Sequence, residues 1–393
     1  MPTRSKDVFL KLLDTTLNFS IDFIENGTTA RAGFYREGPA NFSIKINDPG
    51  FYRAVLSYGN LGLGESFMKK RFEMTEGSLE GLIEALLACK LDRKLRHHLK
   101  LGLKILPFRL LGSLRGKQSN VQKHYDAGLD LFSSFLDPSL TYSCGYAEKE
   151  TDSLEQLQLN KFERICRKLD LKPGERLLDI GCGFGGMLQY AATRYSVQGL
   201  GITNSEDHYQ TGNDRIRKAG LAHQIRIEKM DYTRATGIFH KIVSIGMLEH
   251  VPPAEYGRYF KTIHRLLDEH GKGLVHFVGA NAASNDHDYF IQKYIFPMSH
   301  QPRLSAIADT LERQGLAILD VENLIRHYGF TARQWLHNFR NNRSGLGRYP
   351  DSFLNMFEYY LACCVAAANA SDSALYQVLF MKNHRGDIPL RRV

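Results

Sequence analysis

The stretch that most constrains this chain is Leu177-Leu178-Asp179-Ile180-Gly181-Cys182-Gly183-Phe184-Gly185-Gly186. Arg176–Ile180 is a short apolar run that closes on an acid and reads as a buried strand, and Met187–Tyr195 is rich in helix formers. A glycine turn lies between them. Glycine lets the backbone turn sharply and approach a ligand with no Cβ in the way. The N-terminus of the following helix offers unpaired N–H groups. A glycine-rich turn alone also describes an ordinary loop. The nucleotide-binding reading needs a strand before it, a helix after it and further strands at regular spacing, and all three are present.

Val197–Thr203, Ile225–Met230, Lys241–Met247, Gly273–Val278 and Ala317–Val321 read as further strands. Ser205–Ala219, Pro253–Glu269 and Leu304–Gln314 read as the helices between them. The alternation predicts an α/β fold with a doubly wound, mostly parallel sheet. Ligands of such sheets sit outside the carboxyl ends of the strands, and Asp179, Asp231 and Glu249 fall at or just past those ends.

A dinucleotide site wants G-x-G-x-x-G and an acid about 20 residues on, at the end of the second strand. Here the acid precedes the turn, the second strand closes on Thr203-Asn204-Ser205, and no Walker lysine follows. The pattern resembles the S-adenosylmethionine (AdoMet) turn of Rossmann-like methyltransferases, which places AdoMet ahead of NAD.

At 393 residues and 43% hydrophobic content the chain is long enough for two domains. Its net charge of +9 suits an anionic partner, phospholipid or nucleic acid, and also a merely basic enzyme. The six cysteines form no C-x-x-C and no zinc spacing; they read as reduced thiols of a cytosolic protein. Asp14 interrupts the apolar run near the N-terminus, which argues against a signal peptide. No apolar run is long enough to span a bilayer.

Residues 1–89 read as a small α+β domain, with helices over Val8–Phe19, Pro49–Tyr58, Gly64–Lys70 and Leu79–Cys89 and strands over Ala32–Tyr35 and Phe42–Ile46. A structural or docking role is expected of it. Residues 90–119 hold nine Lys and Arg residues against the single acid Asp92, interleaved with Leu101, Leu103, Ile105, Leu106, Phe108, Leu110 and Leu111. Basic charge on an apolar-faced segment suits a membrane surface; a linker with solvated lysines reads the same way. Residues 120–393 carry the chemistry. Val121–Thr151 crowds polar aromatics and Cys144 into a segment placed to cap a cofactor.

Five motifs stand in one order: His124-Tyr125-Asp126; Tyr142-Ser143-Cys144; the turn Asp179–Gly186; Gly246-Met247-Leu248-Glu249-His250-Val251; and Lys293-Tyr294-Ile295-Phe296-Pro297. In sequence and spacing they resemble the cyclopropane fatty acid synthase family, over about Val121 to Lys382. The first domain resembles the extra domain of its longer bacterial members. The resemblance implies a Rossmann-like class I methyltransferase domain and a transfer from AdoMet to the cis double bond of a phospholipid acyl chain. A carbocation forms, the new methyl group loses a proton, and the ring closes. An olefin is a poor nucleophile, so the sulfonium must be aligned in a near-attack geometry. Water, which would trap the cation as an alcohol, must be excluded. The base in this family is a bound bicarbonate ion.

The resemblance also implies site residues. Cys144, Glu249, His276, Val278 through its backbone, and Tyr328, by its position ahead of Trp335, match the bicarbonate site. Imidazole, phenol and backbone N–H can all hydrogen-bond to an oxyanion; an ionised Glu249 would instead accept the bicarbonate hydroxyl or orient a neighbour. For AdoMet, Asp179, Gly181, Gly183 and Gly185 belong to the methionine and ribose side. Thr203 and His208 stand near the second strand's end, and Asp231 and Tyr232 border adenine. Tyr142 and Ser143 close over the sulfonium, where an aromatic face is electrostatically apt. The implied partner is unsaturated phospholipid at the inner face of the membrane, with a cytoplasmic, peripherally associated enzyme, no nucleic acid, and a homodimer admitted.

Three positions depart from the family pattern. Phe184 replaces a frequent tryptophan, His208 a frequent glutamine near the ribose, and Met298-Ser299-His300-Gln301 follows Pro297 where the family continues with glycine. The last departure keeps a methyl-branched or methylene product open. Two further classes are a small-molecule methyltransferase and a nucleic-acid methyltransferase. The second would want an N-P-P-Y-type strand end, and Met247-Leu248-Glu249-His250 stands there instead.

Overall fold

A computed structural model describes residues 2–34, 40–90, 128–280, 288–370 and 373–382. The basic segment 90–119 after Lys90, and the motif His124-Tyr125-Asp126, lie outside the described residues. Two units are present.

The first unit gathers the described parts of residues 1–130 with 288–297 and 339–370. Its sheet holds β1 (Ser20–Glu25), β2 (Thr28–Gly33), β3 (Phe42–Ile46) and β4 (Phe72–Glu76) in the order β2-β1-β3-β4. β1 and β2 form an antiparallel hairpin around Asn26-Gly27. Those two residues have φ of 50° and 76°, the pair of left-handed positions that suits a tight hairpin turn. β3 joins β1 in parallel and β4 antiparallel. Phe9, Phe23, Phe51, Tyr52 and Phe72 fill the space behind the sheet, with ring centroids 5.2–5.6 Å apart for the closest pairs. Helices Pro2–Thr16, Gly50–Tyr58, Asn60–Met68 and Leu79–Ala88 complete this part.

The same unit takes in the helix Asp351–Asn369 from far along the chain. Buried Asn355 donates to the carbonyl of Met68 at 3.3 Å. Arg340 holds Glu80 at 2.9 Å on one side and Glu358 at 2.9 Å on the other. The motif that begins at Lys293 is also here: Lys293 Nζ and Tyr294 Oη donate to Glu65 Oε1 at 2.7 and 2.9 Å.

The second unit holds the described parts of residues 131–287, 298–338 and 371–393. Its sheet consists of β5 (Arg176–Ile180), β6 (Gln198–Thr203), β7 (Ile225–Lys229), β8 (Phe239–Ile245), β9 (Leu267–Gly279), β10 (Ala317–Asn323) and β11 (Ala374–Met381). The seven strands run in the order β10-β11-β9-β8-β5-β6-β7. β7-β6-β5-β8-β9 pair in parallel, and β11 lies antiparallel between β9 and β10. The sheet is therefore doubly wound and mostly parallel. The helix expected over Pro253–Glu269 is shorter, Tyr256–Leu266, and β9 begins at Leu267.

Successive residues of a strand face opposite sides, and both sides are covered. Leu178, Ile180, Ile242, Val275, Phe277, Val378 and Phe380 pack into one core with the helices Tyr256–Leu266 and Leu304–Arg313. Leu177, Val243, Leu274, Leu379, Ile225 and Ile227 pack into the other with Leu154–Leu169 and Gly186–Tyr195. Among the described residues no helix is long and apolar enough to cross a membrane.

Candidate active site

The sheet's order reverses at β5. The chain leaves β5 for β6 on one side and later returns to β8 on the other, so the connections at their carboxyl ends part and leave a crevice. The turn after β5 uses backbone that glycine adopts at low cost: Gly181, Gly183 and Gly185 have φ of 79°, 54° and 81°. The Gly181 N–H donates to the Ile202 carbonyl of β6 at 2.9 Å and ties the turn to the sheet. A Cβ on Gly181 would meet Met247 at 2.9 Å, whereas one on Gly183 would meet nothing within 4 Å. Gly183 is thus fixed by its dihedral and faces open space.

The residues expected around AdoMet gather at these strand ends. Tyr142 packs on Phe132, Phe135 and Trp335 with centroids at 5.6, 5.6 and 5.3 Å. Phe132 reaches Phe184 at 6.5 Å, and Phe184 meets His208 edge-on at 4.5 Å. One run of rings thus joins the segment ahead of the sheet to the glycine turn and to the helix Glu206–Lys218. That helix is capped by Ser205 Oγ, which accepts from the His208 N–H. Burial holds the His208 imidazole below its ordinary pKa. Thr203, buried at the end of β6, accepts the Met230 N–H at 3.0 Å. Asp231 Oδ1 accepts from the Thr233 N–H and hydroxyl at 2.9 and 2.5 Å, which holds its carboxyl below the usual range. Tyr232 stands edge-on to Tyr259 at 5.3 Å.

The five residues matched to the bicarbonate site also lie in this unit, and most of them meet. Cys144, Val278 and Tyr328 share one small cluster with Leu324 and Leu375. Burial pushes the Cys144 thiol up to about 12, so it stays protonated; its Sγ donates to the Gly145 carbonyl at 3.0 Å. Glu249 Oε1 accepts the Val278 N–H at 2.6 Å. That backbone group is therefore engaged, and a bound anion reaches it only by sharing or exchanging this bond. Glu249 Oε2 is buried with no hydrogen-bond partner among the described residues. Burial raises the carboxyl to about 7, partly offset by the Val278 N–H. His276 stands two residues before Val278 on β9, and so on the same face. Its Nε2 is likewise buried without a partner among the described residues. Burial, with Lys161 and Lys168 adding to it, keeps the ring neutral.

An unpartnered buried donor or acceptor costs free energy. Of the five matched residues, two have a buried atom without a partner among the described residues, an imidazole nitrogen of His276 and a carboxyl oxygen of Glu249. Bicarbonate offers acceptor oxygens and a hydroxyl donor, so this donor set fits it.

Sequence reasoning missed Lys161. It is fully buried, and its Nζ donates to Ser143 Oγ at 2.9 Å. Burial lowers the amine to about 7, opposed by Cys144, Asp137 and Asp179. Asp179 has one oxygen without a partner among the described residues, and burial raises it to about 7 against the pull of Lys161. Gln158 Nε2 donates to the Ser143 carbonyl at 2.8 Å. The signal was in the sequence: Leu154, Leu157, Gln158, Lys161, Phe162 and Ile165 follow the spacing of one helical face, and two of these inward positions are polar. The departing stretch after Pro297 also reaches this region, where the His300 N–H donates to the Glu249 carbonyl at 2.8 Å.

Solved structures with this fold include class I AdoMet-dependent methyltransferases. The cyclopropane synthase MmaA2 from Mycobacterium tuberculosis superposes with a TM-score of 0.62 at 26% identity, covering 66% of this chain and 96% of that one. The mycolic acid cyclopropane synthase CmaA1, complexed with SAH and CTAB, gives 0.62 at 27% identity, covering 66% and 96%. The chain is an AdoMet-binding methyltransferase with a Rossmann-like catalytic domain and a smaller α+β domain. The family model for mycolic acid cyclopropane synthetase matches residues 113–378, and the chain belongs to that family. It is 37% identical over 372 residues to the cyclopropane-fatty-acyl-phospholipid synthase of Escherichia coli K12, covering 94% of this chain and 95% of that protein. It is 32% identical to a probable fatty acid methyltransferase of Pseudomonas putida, covering 69% and 72%.

Gly183→Val forces a β-branched residue to φ near +54° and fills the open space before the turn. Calorimetry on the folded variant is expected to show AdoMet affinity reduced about tenfold or more by the obstruction, while ~1–2 kcal/mol of backbone strain lowers the variant's stability. Unchanged affinity would remove the glycine turn from the cofactor site.

Glu249 gives a stability prediction with a definite sign. Its folded pKa of about 7 lies above its ordinary 4.5, so the native state binds more protons between these values and loses stability as pH rises through them. Glu249→Gln lacks this loss. The variant's urea midpoint is expected to gain on the wild type's as pH is raised from the ordinary carboxylate range past 7. A constant difference would show that Glu249 ionises normally.

Proposed function

We propose that this enzyme transfers a methylene unit from AdoMet to the cis double bond of an unsaturated phospholipid acyl chain and closes a cyclopropane ring. One observation carries the reading. The similarity to the Escherichia coli phospholipid cyclopropane synthase runs through both units, whereas the fatty acid methyltransferase is matched over about two thirds of the chain.

In this reading the turn Gly181–Gly185 and Asp179 hold the methionine and ribose portions of AdoMet. Thr203 and His208 stand by the ribose, and Asp231 and Tyr232 border adenine. Tyr142 and Ser143 close the sulfonium side. Bicarbonate, when bound, supplies the base for the proton lost from the transferred methyl group. The chain's own part is to hold that anion and exclude water. His276 Nε2 and the Tyr328 phenol donate, the protonated Cys144 adds a wall that carries no charge, and the free oxygen of Glu249 accepts the anion's hydroxyl. Glu249 needs to be ionised for this, which its pKa of about 7 permits near neutrality. A methyl-branched or methylene product is the second reading, favoured by the departure at Met298–Gln301, whose backbone bonds to Glu249.

Residues 1–89 are proposed as a lipid-docking unit and residues 90–119 as the element that meets the anionic inner face of the membrane. The clustered Lys and Arg residues and the interleaved leucines support this.

Phospholipids from cells expressing the chain are expected to gain one CH2 per modified acyl chain by mass spectrometry, with loss of olefinic protons and appearance of ring protons by NMR. A CH2 gain that keeps the double bond, or adds two further hydrogens, would replace the cyclopropane product with the second reading. With purified protein, Glu249→Gln is expected to lower turnover at least tenfold while AdoMet still binds. Wild-type turnover is expected to fall in CO2-depleted buffer and recover on adding bicarbonate. Indifference to bicarbonate would reject the bound base.

Flotation of the wild type with anionic liposomes is expected to weaken as salt is raised, and changing Lys94, Arg96, Lys100 and Lys104 together to glutamate is expected to abolish it at low salt. Undiminished flotation would take membrane binding away from this segment.

A further inference from the structure

Strand β11 is buried along all eight residues, and Gln377, with no exposure, is the one amide in it. Both ends of that amide are held. Oε1 accepts from Lys168 Nζ at 2.9 Å. Nε2 stands 3.2 Å from His276 Nδ1. An amide's orientation is read from its partners, and here only one orientation works. A lysine ammonium has donors and no acceptor, so the amide oxygen must face Lys168. The NH2 group must then face the ring. An NH2 group only donates, so Nδ1 must be the accepting, unprotonated nitrogen. In a neutral imidazole the proton is then on Nε2, the buried nitrogen with no partner among the described residues.

Lys168 is fixed in turn. It is buried on the helix Leu154–Leu169, with Glu322 Oε2 at 2.7 Å and Asp320 Oδ2 at 3.3 Å. Arg164 closes on the same Glu322 carboxylate with two bonds of 2.8 and 2.9 Å. The chain of contacts therefore runs from β10 through the helix and β11 to β9, each link with its donor determined.

We infer that Lys168 and Gln377 are positioning residues that lock His276 as a neutral Nε2–H donor, and that the group it meets in the active site presents an acceptor oxygen, as a carbonate-class oxyanion does. The inference rests on the proposed function only in placing His276 in the active site. It assigns His276 to binding and takes it out of contention as the proton acceptor, because the ring's lone pair is already used by Gln377. It also gives a reason for a buried lysine on the helix Leu154–Leu169 and a buried glutamine in the middle of β11.

Two measurements on the full chain separate the inference from the reading it rests on. In 15N-histidine-labelled protein, long-range proton–nitrogen correlation spectra report which ring nitrogen is protonated, with the His276 signals identified by their loss in His276→Asn. Wild type is expected to show Nε2–H. In Gln377→Glu, a carboxylate that accepts from both neighbours draws the proton to Nδ1, and the spectrum is expected to switch. The same variant is expected to need about tenfold or more bicarbonate for half-maximal turnover on cis-unsaturated phospholipid vesicles in CO2-depleted buffer, as the loss of one buried hydrogen bond implies, with AdoMet affinity by calorimetry unchanged. Gln377→Met, isosteric and unable to choose a tautomer, is expected to fall between wild type and Gln377→Glu. A merely structural role would make the methionine variant at least as impaired as the glutamate. Nδ1–H in wild type overturns the inference, and this result needs neither Gln377 variant to fold. A tautomer that switches in Gln377→Glu while bicarbonate dependence stays as in wild type overturns the positioning role. Wild-type turnover indifferent to bicarbonate strikes the proposed function instead and leaves the tautomer standing.

Discussion

Strand β5 is hydrogen-bonded on both sides, to β6 and to β8, and the site depends on that double pairing. With its edges used, β5 can leave the sheet only at its end. The chain must turn at once, because Gly181 is already bonded back to Ile202. That demand brings in the left-handed glycines, and they in turn start the helix Gly186–Tyr195 at the mouth of the crevice. β8 and β9 then deliver Glu249 and His276 to the same end of the sheet. The acid comes from the turn after β8 and the imidazole from the end of β9 itself, and their common placement follows from parallel strands ending together.

Burial sets the chemistry of what is delivered. Asp179, Glu249 and Lys161 are each driven to about 7 because a charge loses its water there. Taken alone each would be a liability for stability. Burial acts in the same sense on the thiol of Cys144 and the ring of His276, which remain uncharged. Uncharged thiol and imidazole groups suit a reaction of the proposed kind, since neither adds a nucleophilic anion beside a cation.

The sequence carried much of this, unevenly. The turn Asp179–Gly186 and strand β5 are legible because an apolar run, three glycines and a helix start coincide within a few residues. β1 and the Asn26-Gly27 turn were passed over although that dipeptide is a strong hairpin signal; the strands beside it mix charge with apolar residues and present no clean alternation. β11 was invisible for the opposite reason: Ala374–Met381 is apolar throughout, and periodicity does not distinguish a fully buried strand from a buried helix. Lys161, Lys168 and Gln377 escaped because their meaning is in their burial. A lysine on a helix reads as solvated until its face is known. The family resemblance named Cys144, Glu249 and His276, and could not reveal that the Val278 N–H is bonded to Glu249 or what holds the far side of the histidine ring.

The placement of the helix Asp351–Asn369 and of β11 bears on how the protein is made. The helix packs with Asn60–Met68 and Leu79–Ala88 in the first unit, and β11 fills the gap between β9 and β10 in the second. Neither unit can complete its core from the residues synthesised first. During translation the early helices wait with an apolar face uncovered, and the sheet waits with β9 lacking a neighbour, until the segment from Asp351 to Met381 emerges. Both units then close within a short interval, on contacts of large sequence separation that form slowly and leave surfaces prone to aggregate meanwhile. Both cores therefore depend on one late segment, residues 351–381, for their closure.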